Sequence, residues 1–124
     1  GHTRLMLAQL QDRPNLISAT LKYEHRLRDE FEQVKAVVQL VDGTYLHLNE
    51  VWINGMLRKY AYYQLTPTNE VIRGWDNAPH HPEVSTHPHH FHYAGDIHPS
   101  MIRSLNDLLG MLSGELSDEE FSGQ

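Results

Sequence analysis

The stretch VKAVVQLVDGTYLHLNEVW, Val34–Trp52, decides the fold. Val34–Val41 is rich in β-branched residues, which suit a pleated, half-buried surface. Asp42-Gly43 then gives a strong hairpin signal, because both residues tolerate the positive φ of a tight turn. Thr44–Trp52 alternates Tyr45, His47 and Asn49 against Leu46 and Leu48, so one side of the returning strand is apolar. Val51 and Ile53 shift that alternation and predict a bulge or bend near Asn49-Glu50. The unit is an antiparallel hairpin with one buried face.

The same reading extends outward in both directions. Upstream, Asn15–Arg28 carries Ile17, Ala19, Leu21, Tyr23, His25 and Leu27 mostly on one parity, the pattern of a half-buried strand. Residues 29–33 (DEFEQ) make a polar connection from it into the hairpin. Thr3–Arg13 clusters apolar residues ahead of Pro14, which fits a short helix or an irregular lead-in. Gly1-His2 reads as the remnant of an expression tag, so His2 is left out of any site. Downstream, Asn54-Gly55 is a second hairpin-type turn and Met56–Leu65 an aromatic strand. Thr66-Pro67-Thr68-Asn69 is turn chemistry, Val71–Trp75 a short strand, and Phe91–Tyr93 a last edge strand. Ser100 or Ser104 caps a helix running to about Leu116, with Asp107 at capping-box spacing from Ser104. Leu105, Leu108, Leu109, Leu112 and Leu116 form its apolar stripe, and Gly110 weakens it by roughly 1 kcal/mol relative to Ala. The fold class is therefore α+β: an antiparallel β-meander of about five or six strands with a C-terminal helix packed on the sheet. Residues 1–116 are expected to form a single domain, and 117–124 a disordered acidic tail.

At 124 residues the chain suits one domain with a real core. It has no cysteine, which excludes a disulfide framework and thiolate zinc sites. No run approaches the roughly 18 apolar residues of a membrane span, and no signal-peptide pattern opens the chain. The expected location is cytoplasmic, with no membrane partner. Ten Lys and Arg stand against sixteen Asp and Glu, a formal net charge of −6. That balance argues against a strongly basic, nucleic-acid-coating protein.

Between the strands at Val71 and Phe91 lies the densest chemistry, Trp75–His92 (WDNAPHHPEVSTHPHHFH). Six of the chain's ten histidines fall in it, a concentration that composition does not explain. Pro79, Pro82 and Pro88 fix φ and push the preceding residues to extended conformations, so a stiffened, extended loop is expected. Imidazole changes charge nearest neutral pH and is the commonest metal ligand. Three roles fit. In a metal site, His87, His89, His90 and His92 supply ligands, with Asp76 and His80 or His81 completing a set suited to zinc, nickel or copper. In metal-free acid–base catalysis on RNA, histidines act as acid and base, Asp76 orients an imidazole, and Arg58, Lys59 or Arg73 meets the developing phosphorane charge. Tyr60, Tyr62 and Trp75 then offer stacking surfaces. In a structural role, the Asp76-Asn77 side chains cap a turn and the histidines satisfy carbonyls.

The residues Asp76, Asn77, Ala78, Pro79, His80, His81, Pro82, Glu83, Thr86, Pro88, His89, His90 and His92 resemble the signature loop of the TumE family of small toxin-like proteins. There the loop runs aromatic-D-N-A-P-H-H-P-E, two variable residues, then T-F-P-H-H-K-H. Asp42-Gly43 and the strand Arg58-Lys59-Tyr60-Ala61-Tyr62-Tyr63 fit as well, so the resemblance covers most of residues 15–115. His87 replaces the usual Phe, and Phe91 replaces a Lys, which removes a cation beside the cluster. The resemblance implies a toxin neutralised by a cognate antitoxin protein. Action on RNA or nucleotides follows by analogy with other small toxins. The expected site is Asp76 as orienter, His80, His81, His89, His90 and His92 as acid, base or ligand, and Arg58 as the anion contact. The competing class is a non-catalytic module that grips a protein or a metal, zinc or nickel, through the same loop.

Overall fold

A computed structural model describes residues 5–122, with side chains described to residue 118. Gly1-His2 lies outside the described residues. Helix α1 (Leu5–Gln11) leads into seven strands: β1 (Ile17–Arg28), β2 (Phe31–Leu40), β3 (Tyr45–Ile53), β4 (Met56–Leu65), β5 (Val71–Asp76), β6 (His90–Tyr93) and β7 (Asp96–Pro99). Helix α2 (Leu105–Ser122) follows. The strands form one sheet in chain order, each neighbouring pair antiparallel. This is the α+β meander that the alternation predicts.

The central hairpin is β2–β3, in register from Phe31↔Ile53 to Gln39↔Tyr45. Its apolar parity, Val34, Ala36, Val38 and Leu40 with Leu46 and Leu48, turns to one face and is buried. Against that face pack Met6 and Leu10 of α1 and Leu105, Leu108, Leu109 and Leu112 of α2, with Tyr60, Tyr62 and Trp75. Burying each such leucine stabilises the fold by about 1.5–3 kcal/mol. Ser104 caps α2 through Oγ, which accepts from Asp107 N at 3.2 Å, and Asp107 Oδ2 accepts from Arg103 N at 3.0 Å. The other parity of β2 and β3, with Gln33, Lys35, Val37, Tyr45, His47 and Asn49, forms a second sheet face that carries no helix among the described residues.

Several expectations are corrected. The sheet has a seventh strand, because Ala94 and Gly95 both take positive φ (53° and 82°) and fold Asp96–Pro99 back on β6. Alanine does not announce such a turn, whereas Asn54-Gly55, with φ of 51° and 74°, does. The polar connection shrinks to Asp29-Glu30, with Asp29 at φ 53°, and residues 31–33 belong to β2. Glu32 there is buried, held by His25 Nε2 at 2.8 Å. The bulge falls between Val51 and Trp52, whose partners are Lys59 and Leu57, so Arg58 is the extra residue. Helix α2 continues past the expected Leu116 to Ser122, and residues 123 and 124 of the expected tail lie outside the described residues. The sequence there contains no proline and is rich in glutamate, which extends a helix readily. No described helix is long and apolar enough to cross a membrane.

Candidate carboxylate–imidazole site

Asp76 ends β5, and its cross-strand partners are Ala61 on β4 and His90 on β6. Two residues back, Gly74 pairs with Tyr63 on one side and His92 on the other. Residues in register share a face of the pleat. Asp76, His90, His92 and Tyr63 therefore converge on the sheet face away from the helices. A Cβ at position 74 would run into the Tyr63 ring. The bare glycine lets that ring cross the strand and donate its hydroxyl to Asp76 Oδ2 at 2.9 Å.

The Asp76 carboxylate, 7 % exposed, accepts from four donors. Oδ1 takes Ala78 N at 2.9 Å and faces His90 Nε2 at 3.0 Å. Oδ2 takes the Tyr63 hydroxyl and His92 Nε2, the latter at 3.0 Å. His90 is almost fully buried, and its Nδ1 donates to the Pro88 carbonyl at 2.9 Å. Both of its nitrogens thus face oxygen atoms, Nδ1 the Pro88 carbonyl and Nε2 the Asp76 carboxyl. His92, with a side chain 31 % exposed, spends Nε2 on Asp76 and keeps Nδ1 for exchange. His81, 30 % exposed, faces Glu83 through Nδ1 at 3.2 Å and keeps Nε2. The His81 and His92 ring centroids are 6.1 Å apart, with His90 5.0 and 4.7 Å from them.

The connection from β5 to β6 is folded into successive turns, Val84 N to His81 O, His87 N to Val84 O and His89 N to Thr86 O. The expected extended loop is corrected by these turns, and the His87–Pro88 peptide is cis. Asn77 fastens the loop to β4: its Oδ1 accepts from Tyr60 N at 3.0 Å and its Nδ2 donates to Arg58 O at 3.1 Å. Thr86 Oγ1 donates to His89 O and accepts from Ser100 N, tying the loop to the segment after β7.

The structure thus divides the expected residues. Asp76, His81, His90 and His92 come together, and the donor atoms of Asp76, His90 and His92 lie within 4.8 Å of one another. His80 is exposed on the loop, outside the group. His87 turns its Nδ1 to the His81 carbonyl at 3.2 Å. His89 points to the helix side, where its Nδ1 meets the Tyr60 hydroxyl at 2.7 Å. Since that hydroxyl donates to Ile102 O at 2.9 Å, His89 Nδ1 is the donor to it. Of the four histidines expected as metal ligands, His90 and His92 meet the expected Asp76, whereas His87 and His89 face elsewhere, because two-residue periodicity holds only in β6. Arg58 sits in the β4 bulge with its guanidinium 4.0 Å from the Met56 sulfur. Lys59, in register with Val51, is the β4 cation that shares the Asp76 face. Arg73 is committed to Glu115, in two bonds of 2.9 and 2.6 Å, and to Gln64 at 2.8 Å. Tyr63 and Gly74 were not singled out from sequence, and the signal that finds them is the register of β4 on β5.

Burial raises the Tyr63 phenol well above its usual pKa, and the bond to Asp76 and that residue's charge add to the shift. Burial likewise raises Tyr60, with Asp76 adding and Arg103 opposing. Both phenols are donors at neutral pH. Burial lowers His89 below the ordinary histidine range, and the nearby Arg103 and His90 charges add to it, which keeps its ring neutral against Tyr60. A backbone hydrogen bond holds the exposed Glu83 carboxyl below its usual range, helped by His81.

A family model described as Toxin TumE matches residues 6–118. No curated protein and no solved structure matches the chain.

Proposed function

The chain belongs to the TumE toxin family, and from that membership we propose that it is the toxin of a toxin–antitoxin pair and acts by cutting RNA. The observation that carries this reading is the pair His81 and His92. Each is half-exposed, each has one nitrogen against a carboxylate, and their centroids are 6.1 Å apart. A nitrogen facing a carboxylate carries its proton, so the other nitrogen is a base in the neutral ring and an acid in the charged one. Two such groups suit transesterification at a phosphodiester. One imidazole takes the 2′-hydroxyl proton while the 2′-oxygen bonds to phosphorus. The other donates a proton to the departing 5′-oxygen, leaving a 2′,3′-cyclic phosphate and a 5′-hydroxyl. Asp76 fixes His92, Tyr63 and Ala78 N fix Asp76, and Lys59, the β4 cation of that face, meets the phosphorane charge.

Asp76 and His90 are poor probes, because breaking a buried pair costs about 3–5 kcal/mol and would unfold the site. The half-exposed residues are the test. In His81→Gln and His92→Gln, RNA cleavage should fall by about two orders of magnitude or more, growth arrest should be relieved, and the thermal transition should stay close to that of the parent. Full cleavage in both variants would remove this pair from the mechanism.

A second reading is favoured by one observation. The Nε2 atoms of His90 and His92 and the Asp76 carboxylate face one another, with His90 Nδ1 held by a backbone carbonyl as in many metal-bound histidines. Two histidines and one carboxylate suit zinc or nickel. On this reading the loop is a metal-binding module, and untagged protein dialysed against chelator should retain a stoichiometric ion. Loss of all metal with unchanged fold and activity would eliminate it.

A further inference from the structure

The acidic chain carries a basic face. Cross-strand register sorts its cations: Lys22, Arg26 and Arg28 on β1, Lys35 on β2 and Lys59 on β4 share the sheet face that bears Asp76 and His92. These are five of the ten Lys and Arg in a chain of formal net charge −6. The strand residues of this face from position 22 of β1 through β6 carry two carboxylates, Glu24 opposite Lys35 and the site's own Asp76, and the loop adds Glu83 against His81. One row of register pairs crosses the sheet without a break, Lys22↔Val37↔His47↔Tyr63↔Gly74↔His92. At strand spacings of about 4.8 Å that row spans roughly 24 Å. At its far end Lys22, Tyr45 and His47 border a recess of about 430 Å³. An aromatic ring beside cations is the combination that holds a base and its phosphate.

We propose that this open sheet face is the binding platform for a single strand of RNA, which enters over Lys22 and Lys35 and crosses toward His92. The proposal rests on the RNA-cutting reading for the identity of the strand, while the binding is independent of catalysis. Charge complementarity favours a polyanion, and the row that ends at His92 favours one that reaches the reactive pair. The global acidity confines such a ligand to this face.

The test is fluorescence anisotropy of the full chain with a labelled single-stranded oligonucleotide whose 2′-hydroxyls are methylated, so that it cannot be cut by 2′-attack. Lys22→Glu with Lys35→Glu should weaken binding by about tenfold or more. It should also flatten the slope of log affinity against log salt by about 1.4, roughly 0.7 for each phosphate contact on a single strand. Arg13→Glu, placed beside Ser113 of α2 on the helix side, should stay within about twofold of the parent. Equal binding by parent and double variant, an equal loss in Arg13→Glu, or no binding by the parent would each overturn the platform. If the same reversals release the antitoxin while leaving oligonucleotide binding intact, the face belongs to that protein and the proposal is overturned. Parent protein that binds the methylated strand in this charge-dependent way yet leaves ordinary RNA whole would support the platform and refute the cutting.

Discussion

At the scale of single residues, the site depends on Gly74 as much as on any titratable group. Tyr63 reaches Asp76 only because position 74 has no side chain. Two substitutions therefore separate presence from position. Tyr63→Phe removes one hydrogen bond to an ionised acceptor, a loss of about 1.5–3 kcal/mol in stability, and leaves the ring beside His92. Gly74→Ala keeps the hydroxyl and pushes the ring away, so it should lower both stability and cleavage further than Tyr63→Phe. Thermal melts and initial cleavage rates of the two variants decide this, and an innocuous Gly74→Ala would break the link between Tyr63 and Asp76. The histidine loop was legible in the sequence as the place of the candidate site, but which of its side chains meet was not. Parity selects His90 and His92 because they lie in β6, whereas His87 and His89 lie in turns whose direction no periodicity encodes.

At the scale of elements, the turns decided what could be read. Asn54-Gly55 announces its geometry, and β4 begins where the sequence places it. Ala94-Gly95 adopts the same pair of positive φ values with a residue that normally avoids them, so β7 was hidden. Polar Glu32 hid the start of β2, since its burial is made tolerable by His25, a partner distant from the turn signal. The stop of α2 was misplaced because an acidic run reads as a solvated tail and is equally a good helix. The helix retains room for improvement. A Cβ at Gly114 would meet nothing within 4 Å. Gly114→Ala should therefore stabilise the fold by about 0.4–1 kcal/mol, read as a shift in the denaturant midpoint, with cleavage unchanged. A destabilised variant would mean that this part of α2 packs more closely than described.

At the scale of the whole molecule, two faces of one sheet divide the labour. One face, under α1 and α2, holds the apolar core, and the other holds the carboxylate–imidazole group together with five of the ten Lys and Arg. Composition conceals this division, because a net charge of −6 averages over both sides and only the register separates them. The fold class was legible from hydrophobic alternation, whereas the basic face was not, since it is assembled from residues on β1, β2 and β4. The proposed His81 and His92 pair would cut RNA without a metal. Its most direct test is incubation of the purified protein with single-stranded RNA in excess EDTA, followed by analysis of the new ends. On the metal-free reading, cleavage persists in EDTA and leaves 2′,3′-cyclic phosphate and 5′-hydroxyl ends. Intact RNA, cleavage that returns only with added zinc or nickel, or products bearing 3′-hydroxyl and 5′-phosphate ends would contradict it.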